Sequence, residues 1–328
     1  MVSTNNLNSC TDDQFLALWD KYQSISKVAK ILGISERATN YRRRNLEKKH
    51  GQLLGKDFRS ALFDSKQKSH SPLNQINLGI ENGVVLVFSD AHFIPSQRST
   101  AFKGLLWAIQ EFKPKAVICN GDAFDGASIS RHDITDQPQT SVIEELKATQ
   151  FALDEIHEAA KEARHNVKLV FTWGNHDIRF GNRLAQHAPQ FKDVLGFKLV
   201  DHIPNWDFCW ACWPTNKVIV KHRYKGGIHA THNNTVTAGV SIVTGHLHSL
   251  KVTPFSDYNG NRYGVDTGTL AEPDGPQFTY GELNPANHRS GFAVLTFFNG
   301  QLLWPELVHK FAEGHIEFRG EVIDVSAL

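Results

Sequence analysis

Apolar positions along the chain follow two different rhythms. Between residues 12 and 50 they recur three and four apart, the helical spacing: Phe15, Leu16, Leu18, Trp19 and Tyr22 form one set, and Val28, Ala29, Ile31 and Leu32 another. From residue 84 onward they gather into short runs. Val84, Val85, Leu86, Val87 and Phe88 make the first, Ala116, Val117, Ile118 and Cys119 the second, and Val167, Leu169, Val170 and Phe171 the third, interrupted only by Lys168. Runs of this kind belong to strands buried on both faces. Amphipathic patterns predict helices over 100–112 and 141–165, between those strands. Further strands are expected at 217–221 and 241–244, and a β-rich stretch at 252–255, 262–265, 292–298 and 302–304. Strands alternating with helices argue a layered α/β fold.

The helical region carries its own punctuation. Thr11 with Gln14 makes a capping box for a first helix. Ser24 or Ser26 opens a second, Gly33 ends it, and Ser35 caps a third that runs to about Lys49. Two short helices joined at a glycine, the second rich in Arg, is a helix-turn-helix layout. The segment VAKILGISERATNYRRR resembles helix-turn-helix domains of the resolvase and transposase type. In that likeness Ala29 permits close helix crossing, Gly33 turns the chain, and Leu32 and Ile34 are core. Thr39 departs from it, standing where Val or Ile is usual.

Charge sharpens the picture. Net charge is only +1 overall, but residues 21–56 carry ten Lys/Arg against Glu36 and Glu47. Arg37, Asn40, Arg44 and Lys48 share one face of the third helix by their spacing. With Arg42 and Arg43 they form the expected DNA contacts, since Arg and Asn can read guanine and adenine edges bidentately. A three-helix bundle that docks protein is the plainer alternative.

Composition sets outer limits. The 328 residues, 41% hydrophobic and 21% charged, suit about two globular domains. No apolar stretch approaches the ~20 residues of a membrane span, and residues 1–20 lack the basic and apolar segments of a signal peptide. Four cysteines make no disulfide scaffold, so a cytoplasmic protein without membrane contact is expected. The division expected is a DNA-binding domain over 1–56, a linker over 57–82, a main domain over 83–310 and a terminal strand and tail over 311–328.

Each strand-like run ends in chemistry. Asp90 and His92 follow the first, Asp122 and Asp125 the second, Asn175, His176 and Asp177 the third. His222 follows the fourth, and His246 and His248 the fifth. Open α/β sheets place their sites at such C-terminal edges. Carboxylate, amide and imidazole groups without thiolate suit divalent ions of hard to borderline character. For the isolated histidine, His222 competes with His229 and His232; His222 is preferred because it directly ends an apolar run.

Read together, Asp90-Ala-His92, Gly121-Asp122-Ala-Phe-Asp125, Gly174-Asn175-His176-Asp177, His222 and Gly245-His246-Leu-His248 resemble, in order, the motifs of the calcineurin-like metallophosphoesterases. The resemblance implies a two-sheet sandwich flanked by helices, beside the small all-α domain. It implies two divalent ions, manganese first, with Fe, Zn, Ni or Mg as alternatives. Asp90, His92, Asp122 and His248 would hold one ion; Asp122, Asn175, His222 and His246 would hold the other. Water activated between them would attack phosphorus in line. His176 would serve as general acid, with Asp125 orienting it and favouring its charged form.

Gly126 and Trp173 stand where protein phosphatases of this family place arginines, which argues against a phosphoprotein substrate. Arg131, His132, Arg179 and Arg183 are then candidates to hold the substrate phosphate. The motif forms resemble the nuclease branch, and the layout resembles phage-encoded members, which would act in host cytoplasm. DNA is the expected partner. The alternatives are a phosphomonoesterase for small molecules, a cyclic-nucleotide phosphodiesterase, or a DNA-binding regulator whose hydrolase domain is incidental. Cys209-Trp-Ala-Cys212, among Trp206, Trp210 and Trp213, reads as apolar packing rather than redox chemistry, with base stacking by the tryptophans as the alternative.

Overall fold

The computed structural model describes residues 10–50, 74–129, 140–191, 199–281 and 287–328, and the chain divides into two compact units, Met1–Lys66 and Gln67–Leu328.

The first unit contains helices α1 (Asp12–Tyr22), α2 (Ile25–Leu32) and α3 (Glu36–His50). Thr11 and Gln14 form the expected capping box, Ser24 rather than Ser26 caps α2, and Gly33 ends it at φ 66°. Phe15, Trp19, Val28 and Leu46 form the core. Thr39 is fully buried there, and its hydroxyl donates to the Ser35 carbonyl at 3.1 Å. That back-bond satisfies the polar atom and explains how threonine occupies an apolar position.

The second unit packs two sheets face to face. The larger is built on β2 (Gly83–Phe88), β3 (Ala116–Cys119), β4 (Lys168–Thr172) and β5 (Asp207–Cys209), all parallel in that order. On the other side of β2 follow β11 (Gly291–Phe298), β13 (Glu306–Ala312), β14 (His315–Phe318) and β15 (Glu321–Asp324), all antiparallel, with β12 (Gln301–Leu302) hairpinned onto β11. The smaller sheet runs β1 (Gln75–Asn77), β6 (Ala211–Thr215), β7 (Val218–Val220), β8 (Ser241–Thr244), β10 (Gly260–Asp266) and β9 (Lys251–Asp257).

Val85, Val87, Ile118 and Val170 meet Val218, Val220, Val243 and Val265 between the sheets. The opposite face of β2 presents Leu86 and Phe88, also buried, which is why the run is unbroken. Helices α4 (Thr100–Phe112) and α5 (Val142–Ala163) pack against each other, and α4 also packs on β11, β13 and β14. Gly104 of α4 sits where a Cβ would come within 2.8 Å of Ile316. Shorter helices are α6 (Arg179–His187), α7 (Leu199–His202) and α8 (Ala230–Ala238).

Three expectations change. Of the linker over 57–82, residues 57–73 lie outside the described residues. The remainder is strand β1 and its continuation, paired with β6 through Leu78 and Ile80 N–H groups. Ile76, Leu78 and Ile80 alternate inward, a period-two signal too short to stand out from the polar residues before it. Within 311–328, the expected terminal strand and tail, two strands, β14 and β15, form a hairpin that extends the sheet. Strand β12 stops at Leu302, and Trp304 is exposed. Cys209 and Cys212 are both fully buried, one in each sheet, and burial pushes the Cys209 thiol up to about 12. Apolar packing is therefore their role. Trp206 is buried beside Phe88, its indole N–H on the Leu153 carbonyl, so it stacks no base.

Among the described residues no helix is long and apolar enough to cross a membrane.

Candidate metal centre

Strands β2, β3 and β4 from one sheet and β7 and β8 from the other end at one place, where the two sheets are joined by side chains. Asp90, after β2, accepts from the His246 backbone N–H at 2.8 Å and pairs with His248 Nε2 at 3.0 Å. Asp122, after β3, lies 3.1 Å from His222 Nε2, after β7. The loops stay in register because Asp90 and His92 N–H groups donate to the Gly121 and Asp122 carbonyls.

Asp90, His92, Asp122, His246 and His248 all adopt positive φ, between 41° and 73°. Such conformations cost L-residues roughly a kcal/mol each and cluster where surrounding structure imposes them. The motif glycines are steric requirements. A Cβ on Gly174 would overlap the Asp122 carboxylate, one on Gly245 would overlap Ser89 Oγ and Asp90, and one on Gly121 would meet His222 Nδ1 at 2.7 Å.

Two donor sets converge, each with ligand atoms within 4.8 Å of one another, Asp90, His92 and His248 and Asp122, His222 and His246, and a third, His92, Asp125 and His176, overlaps the first at His92. Their electrostatics are those of a cation site. Burial alone would raise the Asp90 pKa, but His248 and His222 outweigh it and hold it at about 2. Burial would lower His222, yet Asp122 and Asp90 raise it to about 10. Asn175 Oδ1 and His248 Nδ1 are buried without a hydrogen-bond partner, and His222 Nε2 has the Asp122 carboxylate at 3.1 Å. Unpaired buried acceptors are costly unless a ligand completes them. His222 Nδ1 is 2.7 Å from the Asn120 carbonyl and donates to it, so Nε2 is the atom turned to Asp122 and to an ion. These residues fit divalent metal.

The sequence profile of the calcineurin-like phosphoesterases matches residues 83–271, more than half of the chain. The chain belongs to that family. Calcineurin-like phosphoesterases bind divalent metals, and this one is a metal-dependent phosphoester hydrolase. Solved structures similar to it include an archaeal phosphodiesterase (12% identity, TM-score 0.36, 69% of this chain and 99% of that one). The nuclease MPE of Pseudomonas putida is similar at 16% identity, TM-score 0.32, over 67% and 86% of the two chains. A dimetal phosphatase of Danio rerio is similar at 10% identity, TM-score 0.32, over 75% and 99%. No curated protein matches the chain.

Around the phosphoesterase ligands stand residues that hold them. Asp125 Oδ1 lies 3.1 Å from His92 Nδ1 and 3.0 Å from His176 Nδ1, so one carboxylate orients both rings. His176 Nε2 faces the Arg179 guanidinium at 2.8 Å, and Arg179 also donates to the Asp125 carbonyl. These partners put the proton on Nδ1 and make Nε2 an acceptor. Asp125 was expected to favour the imidazolium. Instead burial, with His92 and Arg179, outweighs it and lowers the His176 pKa. Arg183 is one turn farther along α6, bonded to the Ile129 carbonyl and His187. Arg131 and His132 lie outside the described residues. His229 is exposed ahead of α8 and His232 packs on Phe255, so His222 alone of the three reaches Asp122.

Sequence reasoning passed over several supports. Buried Asp177 accepts three backbone N–H groups, those of Asp122, Gly174 and Phe124, and so stitches two motifs together. Burial and Asp122 raise its pKa to about 7. Its place inside Gly-Asn-His-Asp was the available signal. Glu145 of α5 accepts from the Gly126 N–H at 2.6 Å and steadies the loop after Asp125. Phe278 and His288 wall the His92–His248 side, with His288 4.4 Å from His248 ring to ring. No periodicity announces those two.

On α3, Arg37 is exposed, while Asn40 and Arg44 are half-buried. Arg42 lies over Phe15 and pairs with Asp12, and Arg43 lies over Trp19 near Glu47. Among the described side chains of α3 the exposed ones are Glu36, Arg37, Ala38, Tyr41, Asn45 and Lys49, so the solvent face is turned from the expected one. The Lys48 side chain lies outside the described residues.

Proposed function

We propose that the protein is a phosphodiesterase that hydrolyses DNA, held to its substrate by an N-terminal helix-turn-helix domain. The observation that carries the hydrolytic part is the convergence of Asp90, His92, Asp122, His222, His246 and His248, with Asn175 Oδ1 and His248 Nδ1 buried and unpaired. Asp90, His92, Asp122 and His248 would hold one ion, and Asp122, Asn175, His222 and His246 the other. Two such ions, manganese as the first choice, lower the pKa of water and neutralise phosphoryl oxygens. Asp125 fixes the His92 and His176 rings.

His176 gives its proton to the leaving oxygen. For that, the Arg179 guanidinium must turn from Nε2 to the substrate phosphate and Nε2 must take up a proton from solvent, Nδ1 keeping its own on Asp125; the imidazolium then passes the Nε2 proton to the leaving oxygen. Binding and proton delivery are thereby linked through one side chain. Gly126 and Trp173 leave the positions of the protein-phosphatase arginines empty of charge, which favours a diester over a phosphoprotein. The basic segment 21–56 favours DNA as the polymer, through Arg37 on the exposed face of α3, with Asn40, Arg44 and Lys48 beside it.

The test is an assay of the purified protein with manganese against single- and double-stranded DNA, RNA, cyclic nucleotides and an aryl phosphodiester. Turnover of DNA and the aryl diester is the expected result. Hydrolysis confined to phosphomonoesters or cyclic nucleotides rejects the DNA assignment.

A further inference from the structure

Residues 208–256 contain no Asp or Glu, although the chain carries 34 of them in 328 residues. Five Lys/Arg lie in that stretch, and three of them, Lys221, Arg223 and Lys225, bracket His222 on the loop leaving β7. The loop is exposed from 223 to 229. Tyr224 is 47% exposed, with the Lys221 ammonium 5.0 Å from its ring centre, and Ile228 is 78% exposed. The segment is anchored. The Lys225 N–H donates to Asn234 at 2.9 Å and its ammonium to Thr237 at 2.7 Å, both on α8, while Lys251 donates to the Ile228 carbonyl at 2.5 Å. Arg223 directly follows His222 in the chain and is exposed. A positive shelf therefore begins at the Asp122–His222–His246 donor set and runs outward along a fixed loop.

A small ester would be fully engaged by the ions and has no use for three more cations beyond them. A polyanion with repeated phosphates does. An exposed aromatic ring among those cations adds a platform for a base, and only an unpaired base offers its face. We propose that loop 221–229 is a rail for single-stranded nucleic acid, with Lys221, Arg223 and Lys225 on phosphates flanking the one cleaved and Tyr224 stacking a base. This rests on the nucleic-acid substrate proposed above and narrows it to a strand presented unpaired at the metal centre.

The experiment uses the full chain loaded with manganese: wild type, the triple variant Lys221→Ala/Arg223→Ala/Lys225→Ala, Tyr224→Ala and Tyr224→Trp. Each is assayed on an aryl phosphodiester and on a single-stranded oligothymidylate across a salt series. The aryl ester reports the metal centre and should be cleaved equally by all four. On the oligonucleotide, removing three phosphate contacts should flatten the slope of log kcat/KM against log salt by about 2, at ~0.7 per contact. Tyr224→Ala should raise KM about tenfold and Tyr224→Trp should restore it. Oligonucleotide kinetics and salt slope unchanged in the triple variant overturn the rail alone. Wild type that cleaves the aryl ester but no nucleic acid overturns the substrate assignment, and the rail with it. Wild type that cleaves duplex but no single strand overturns the rail and leaves DNA as substrate.

Discussion

Helix α3 and the strand ends of the metal centre both gather charged side chains, and their charges are disposed in opposite ways. On α3, Arg42 and Arg43 fold back over Phe15 and Trp19, so two arginines of the basic segment hold their own unit together. At the metal centre, Asp90, Asp122 and four histidines point inward, and two acceptors are left unpaired. Charge count alone misjudges the first and understates the second. Convergence on a point is the better mark of a site.

The strongest way to break this comparison is Asp122→Asn. If both donor sets share that carboxylate, the variant should lose at least one ion and about 10³-fold in aryl phosphodiester turnover, equivalent to several kcal/mol of charge stabilisation. Metal analysis and kinetics would check it; two ions retained with full activity would dissolve the shared centre.

His176→Ala comes next. It should slow hydrolysis of a dinucleotide by about 10²-fold with both ions kept, because the alkoxide leaving group needs a proton. A p-nitrophenyl ester should lose much less. Equal losses would remove the general-acid assignment.

Third is pH. In the metal-free protein His222 is raised to about 10, so at neutral pH it is protonated and an incoming ion must expel that proton. Affinity should therefore rise with pH below about 10, close to tenfold per unit for one proton, and His222→Asn should flatten the dependence. Calorimetric titration at several pH values reads the slope.

Smaller effects belong to the helical unit. Deleting residues 1–56 should weaken duplex affinity about tenfold at moderate salt and leave aryl ester hydrolysis intact. Within that unit, Arg37→Ala should weaken duplex binding and spare hydrogen-exchange protection of α1–α3. Arg43→Ala should lower that protection, since it uncovers Trp19 and removes the cation near buried Glu47. Reversed outcomes would make Arg43 the reader and Arg37 the brace.

Most of the centre was legible because each ligand directly follows a strand whose apolar run is a local signal. Val218, Ile219 and Val220 thus point to His222 over His229. What escaped depends on partners distant in sequence. Strand β1 exists because β6, more than 130 residues on, accepts it in register. The back-folding of Arg42 requires Phe15 and Asp12 from another helix, and the Nε2 atom of His176 is claimed by Arg179 only once α6 begins where it does. Asp125 could be matched to His176 from its motif, but its second hold, on His92, appears only when β2 and β3 lie side by side.

The five left-handed residues at the centre carry a consequence for directed evolution. Glycine occupies that backbone region without steric penalty. Asp90→Gly would cut the side-chain bridge between the sheets, whereas His246→Gly would relax the chain locally while removing a ligand. A library selected for heat resistance alone should enrich such changes, and the survivors would be sturdier proteins that no longer hydrolyse anything. Thermal selection of this fold therefore has to be coupled to turnover.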